Sequence, residues 1–124
     1  MERSYFWTMN FLILHQIDAA FWREWEMFFL PGGVQGYLAF NAVAISILLL
    51  GYKHVLIKSE KAGAFAKMCA ALGALTFFIH CGFALAGFEQ FHFPASIVLI
   101  VLCLVGAIWM TLEIMNSGRG LKNA

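Results

Sequence analysis

Three ionisable side chains lie where they could bind a metal ion. His15 and Asp18 are three residues apart, so on a helix they project from the same face. His80 lies in a later apolar segment and at a similar depth, judged from helical rise. Imidazole and carboxylate groups on facing helices are how helical bundles bind divalent metals, and these donors suit zinc, iron or manganese. The three side chains would leave a fourth position open to water or substrate.

Other polar residues are predicted to surround this site as an outer shell or a gate. On the first predicted helix, His15, Asp18, Trp22 and Glu26 project within an arc of roughly 80°. On the same helix Glu24 points away from that face, and it is interpreted as part of a solvated acidic turn. The predicted outer-shell or gating residues are Glu26, Asn41, Glu89 and His92.

Three alternative roles fit the same residues. A histidine paired with a buried aspartate titrates near neutral pH, so the pair could serve a proton-linked carrier, which at four helices would need a homodimer to enclose a path. His15 and His80 could instead be the axial ligands of a b-type haem, although Asp18 would be an unfavourable neighbour for the ring. In a non-enzymatic accessory or assembly subunit the polar layer would be structural, and an exposed small-residue stripe would dock a partner membrane subunit. That stripe consists of Ala62, Ala66, Ala70 and Ala74.

The segments that carry these residues are typical of a membrane protein. Of the 124 residues 62% are hydrophobic and 12% are charged, against about half and a quarter in soluble proteins. A helix that crosses the hydrocarbon core of a lipid bilayer needs about 20 mostly apolar residues. Four stretches qualify, at residues 5–28, 34–57, 62–88 and 94–115. The composition therefore predicts an all-α protein, with residues 1–124 forming one transmembrane four-helix bundle.

Short loops and the positive charges predict how the bundle is arranged. The segments are separated by Pro31-Gly32-Gly33, by residues 58–61 and by the turn before Pro94, so neighbouring helices should be antiparallel in an up-down topology. With the N-terminus inside, Arg23 is the only one of the 8 lysines and arginines on the outer side. Positive loops stay in the cytoplasm, which predicts a multi-pass inner-membrane protein with both termini cytoplasmic and a site open to the outside.

Two further sequence features concern ancestry and partners. His15 and His80 are each followed nine residues later by a glutamate, Glu24 and Glu89, which raises the possibility of a duplicated hairpin. The net charge is only +1, and no cluster of lysines and arginines is present, so a nucleic-acid partner is not expected. The sequence contains no GxSxG, Walker, Rossmann or HExxH pattern, so classical soluble catalysis has no support.

The stretch LHQIDAAFWREWEMF resembles the first-helix signature of an uncharacterised family of small four-helix bacterial membrane proteins. In that signature His-Glu-x-Asp-Ala is followed by Glu-Trp and an aromatic residue. The matching residues are His15, Asp18, Ala19, Glu24, Trp25 and Phe28, and FIHCGF around His80 resembles the second histidine of the family. Gln16 stands where the family usually has glutamate, so a carboxylate role at that position does not carry over. The resemblance implies a four-helix topology and the importance of His15, Asp18 and His80, but it implies no activity.

Overall fold

The computed structural model of the protein describes residues 1–122, and side chains up to residue 118. The side chains of Arg119 and Lys122, which contribute to the predicted orientation, lie outside the described residues. The described part is all-helical, without a sheet, and has five helices rather than the four predicted. These are α1 (Glu2–Phe21), α2 (Glu24–Met27), α3 (Gly33–Leu56), α4 (Ala62–Leu85) and α5 (Pro94–Lys122).

Three of the described helices are long and apolar enough to cross a membrane. They are α3, α4 and the part of α5 from Pro94 to Gly118. The predicted first span does not meet the same criteria. Its helix α1 contains Asn10, His15, Gln16 and Asp18, which lower its hydropathy. These three candidate spans therefore support the prediction that the chain is a membrane protein.

The predicted first helix, residues 5–28, is divided by a change of backbone direction. Helix α1 ends at Phe21, and Arg23 adopts a left-handed conformation with φ 54° before α2 begins at Glu24. A left-handed conformation costs a non-glycine residue roughly 1–2 kcal/mol. The break ends the helical face that would have continued to Glu26. It turns Glu24 toward the interior and leaves Glu26 exposed.

Helix α1 packs closely against α3, α4 and α5. The hydroxyl of Tyr5 donates to the carbonyl of Leu48 at 3.0 Å, and the hydroxyl of Tyr37 donates to the carbonyl of Gln16 at 2.9 Å. The early part of α1 therefore lies beside the late part of α3, and the late part of α1 beside the early part of α3. These two helices are antiparallel.

Helices α1 and α5 are also antiparallel and approach closely at a glycine. A Cβ atom at Gly106 would lie 2.5 Å from Oγ1 of Thr8, so a larger residue there would push the helices apart. Toward the other end of α1, Oγ of Ser96 donates to Oδ1 of Asp18 at 3.0 Å. This second contact holds the start of α5 against the end of α1.

The small-residue stripe of α4 lies mostly inside the protein. Ala62, Ala66 and Ala70 are buried in the same core cluster as Tyr5 of α1 and Met110 of α5. The expectation that this stripe is exposed to a partner span is wrong for these three residues. Side chains of the chain's own helices already cover them.

Candidate metal centre

His15, Glu24 and His80 form one buried group. Each offers a ligand atom, and these atoms all lie within 4.8 Å of one another. Nε2 of His80 is 3.3 Å from Oε1 of Glu24, and Nε2 of His15 is 3.9 Å from the same oxygen. The two imidazole rings are perpendicular, with centroids 4.7 Å apart. The exposed fractions of the three residues are 1%, 5% and 7%, so the group is shielded from solvent.

Three different helices position these side chains. His15 lies in the last two turns of α1, His80 in the last two turns of α4, and Glu24 is the first residue of α2. Helix α2 is held against α3 by the packing of Trp25 on Tyr37, whose ring centroids are 5.3 Å apart. The left-handed Arg23 and this aromatic contact together fix the carboxylate beside the two imidazoles.

The hydrogen bonding of His80 leaves one ring nitrogen free. Nδ1 of His80 donates to the carbonyl of Thr76 at 2.7 Å. A neutral imidazole that donates from Nδ1 carries a lone pair on Nε2. That Nε2 is buried, faces the Glu24 carboxylate and has no hydrogen-bond partner among the described residues. Two electron-rich atoms thus face each other across 3.3 Å, an arrangement that a positive charge between or beside them would stabilise.

Glu24 lies in α2, outside the three candidate spans. Burial raises the pKa of its carboxyl group, but the imidazoles of His15 and His80, when they carry a proton toward the carboxylate, outweigh this effect and lower the pKa to about 2. The group therefore supplies an anionic oxygen beside two nitrogen donors. A backbone carbonyl that accepts from the remote nitrogen of a histidine is also the usual outer-shell arrangement in metal sites.

Phe91 covers the imidazoles on the side of the connection between α4 and α5. Its side chain is buried, and its ring centroid lies 4.4 Å from that of His80 and 5.5 Å from that of His15. Phe91 also has a left-handed backbone, with φ 63°. Such a conformation is unfavourable for a bulky residue and persists only where surrounding contacts enforce it. The strain in this connection therefore lies directly over the candidate site.

Asp18, the carboxylate predicted as a ligand, is not part of the three-residue group. Its Oδ1 accepts from Ser96, whose Oγ accepts in turn from Nε1 of Trp22 at 3.2 Å. Asp18 therefore lies toward the start of α5, while Glu24 takes the position beside the histidines. The interpretation of Glu24 as a solvated residue is wrong, because that interpretation assumed an unbroken first helix.

The structure also places the predicted outer-shell or gating residues. Asn41 is buried, and its Nδ2 donates to the carbonyl of Tyr37 at 3.0 Å, while its Oδ1 has no hydrogen-bond partner among the described residues. Glu26 is exposed and pairs with Arg23 at 2.6 Å. The remaining two, Glu89 and His92, are exposed in the connection between α4 and α5. Glu24 and Glu89, the two glutamates of the possible duplication, thus have different environments.

A cavity of about 330 Å³ adjoins the group. Ligand pockets typically have volumes of about 300–1,000 Å³. Its polar lining consists of the three candidate ligands together with Gln16, Tyr37 and Thr76. Its apolar lining consists of Phe28, Leu30, Phe40, Leu72, Leu75 and Ile79. The candidate ligands thus line a largely apolar space.

The contact between the imidazoles conflicts with the haem alternative. Axial histidines stand on opposite faces of a haem, and the macrocycle lies between them. With ring centroids 4.7 Å apart and perpendicular planes, His15 and His80 leave no room for a macrocycle. A single ion beside both rings and Glu24 needs no such space.

The comparisons with known proteins give a family and no activity. A family model described as a family of unknown function (DUF6713) matches residues 1–117, in agreement with the resemblance to an uncharacterised family. Neither the search of curated proteins nor that of solved structures gave a match.

Proposed function

Since the chain belongs to the DUF6713 family of unknown function, no role carries over from relatives, and we propose from the site that it binds a divalent metal ion. The ligands are His15, Glu24 and His80. The observation that carries this proposal is the buried Nε2 of His80, which faces a carboxylate oxygen without a hydrogen bond. An unpaired buried polar group destabilises the fold, and a metal ion shared with Glu24 would pair this nitrogen.

The carboxylate ligand is Glu24, and Asp18 has a positioning role through its hydrogen bond with Ser96. Two imidazole nitrogens and one carboxylate oxygen are a donor set of the kind that zinc enzymes use, and iron or manganese also accept such donors. Three protein ligands leave a position for water or for an exogenous ligand. The adjoining cavity supports such a ligand, because it reaches all three residues.

The protein is a four-span protein of the bacterial inner membrane, in which α1 joins the three apolar helices as a fourth span. With 20 residues, α1 is about 30 Å long, which matches the hydrocarbon thickness of a bilayer. Arg3, Lys53 and Lys58 lie at the other end of the bundle from the metal centre, which supports cytoplasmic termini and a centre near the outer surface.

Elemental analysis of the purified full-length protein in detergent tests this function. The variants are His15→Gln and His80→Gln, and the matched control is His92→Gln, because His92 is exposed. We expect near-stoichiometric zinc, iron or manganese in the unmodified protein and the control, and loss of the metal in the other two variants. Size-exclusion chromatography verifies that each variant is folded. Metal retained in both variants, or absent from the unmodified protein after incubation with each ion, contradicts the proposal.

A further inference from the structure

The cavity beside the metal centre is lined by residues of α3 and α4, and exposed lining residues of both helices mark its opening. Phe40 of α3 and Leu75 of α4 line it, and both are about half exposed, at 51% and 52%. Leu75 is ten residues before the end of α4 and Phe40 seven residues after the start of α3, which places them about 15 Å and 10 Å along their helices. Both helices are candidate membrane spans. The opening therefore faces the hydrocarbon of the bilayer.

On the side of the connection between α4 and α5, the buried ring of Phe91 packs on both imidazoles. This ring restricts access to the centre from the water outside. A ligand that dissolves in the bilayer can approach between Phe40 and Leu75 without displacing Phe91. The cavity thus favours a molecule with an apolar body over a small hydrophilic solute.

The net charge of the centre with a divalent ion bound indicates which head group the apolar ligand carries. A divalent ion with the single negative charge of Glu24 and two neutral imidazoles leaves a net charge of +1 in a buried site. An uncompensated charge in a medium of low polarity is unfavourable. One carboxylate in the open coordination position would make the centre neutral, whereas an alcohol or a quinone would leave it charged.

We propose that the site binds a free fatty acid, which enters from the bilayer between α3 and α4 and places its carboxylate on the metal ion. This inference rests on the proposed metal binding. A single acyl chain suits a cavity of about 330 Å³, because ligand pockets bury most of the surface of their ligand. A phospholipid would bring two chains and a bulky head group to the same cavity.

Photolabelling of the full-length protein in phosphatidylcholine nanodiscs tests the inference. The probe is palmitic acid with a diazirine in its chain, added to protein loaded with zinc. The blocking variant is Leu75→Trp. Its control is Leu112→Trp, because Leu112 lies on α5 and is 53% exposed, close to the value of Leu75. Zinc content is measured in every sample, so that loss of the metal centre is separated from loss of fatty acid binding.

We expect zinc-dependent labelling of peptides from α3 or α4, with labelling at least tenfold lower in Leu75→Trp and unchanged in Leu112→Trp. In the unmodified protein, unlabelled palmitate should compete at least tenfold better than hexadecanol. Zinc binding with equal labelling of both variants, labelling that persists after chelation, or equal competition by the alcohol would overturn this inference alone. Preferential labelling by a diazirine phosphatidylglycerol would also overturn it. Protein that binds none of zinc, iron and manganese would overturn the metal centre and the inference together.

Discussion

Replacing Glu24 by glutamine tests the centre most directly, because the amide keeps the shape of the side chain and removes its charge. Oε1 of Glu24 lies 3.3 Å and 3.9 Å from the two imidazole nitrogens, so the substitution changes the one anionic donor of the group. Loss of an outer-shell partner usually weakens metal binding about 10–100-fold. For a direct ligand we expect more than about 100-fold, or about 2.8 kcal/mol of binding free energy.

The effect can be measured through stability. The three ligands come from three helices that meet only in the folded chain, so zinc should bind the folded state preferentially. At a zinc concentration of 100 Kd the unmodified protein gains about 2.7 kcal/mol. The Glu24→Gln variant at the same concentration gains about 0.4 kcal/mol or less. For a chain of this length the corresponding shifts in Tm are roughly 10 °C and roughly 2 °C.

The assay is thermal unfolding of detergent-solubilised protein with and without zinc, monitored by tryptophan fluorescence. The control is Glu26→Gln, because Glu26 is two residues away, exposed and paired only with Arg23 among the described residues. We expect its zinc shift to equal that of the unmodified protein. Equal shifts in Glu24→Gln and Glu26→Gln would refute the assignment of Glu24 as a ligand.

Three further substitutions have defined expected outcomes. Phe91→Ala removes the ring that covers both imidazoles, so a chelator should extract the metal at least tenfold faster in stopped-flow measurements. Ser96→Ala leaves the half-buried Asp18 carboxylate without its hydroxyl donor and Trp22 without its acceptor. Chemical unfolding should show a loss of about 1–3 kcal/mol, while the metal content stays unchanged. Arg23→Gly relieves a left-handed backbone, and the same unfolding assay should show a gain of up to about 1 kcal/mol, partly offset by the lost ion pair.

The apolar helices could be predicted from the sequence because their pattern is local. The stretches 34–57 and 62–88 correspond to α3 at Gly33–Leu56 and α4 at Ala62–Leu85. Proline and glycine mark the turn before α3, and a polar hairpin separates α3 from α4. The proximity of His15 and His80 also followed from helical rise, which gave the two residues similar depths.

The carboxylate of the candidate site could not be assigned in the same way. Helical periodicity assumes a continuous α1, and on such a helix Asp18 shares a face with His15 while Glu24 does not. The left-handed conformation of Arg23 reverses this result, and it depends on contacts such as that between Trp25 and Tyr37 rather than on local propensity. The signals that pointed to Glu24 were its place in the family signature and its spacing of nine residues from His15.

The separation of the ligands along the chain has a consequence for biosynthesis. His15 and Glu24 precede α3, whereas His80 lies in α4. A nascent chain with only its first hairpin inserted would offer an ion two donors, which is too few for tight coordination. Metallation would therefore follow insertion of α4, and an ion delivered earlier would exchange freely with the cellular pool. Acquisition of the metal would then report that translation and assembly of the hairpins have succeeded.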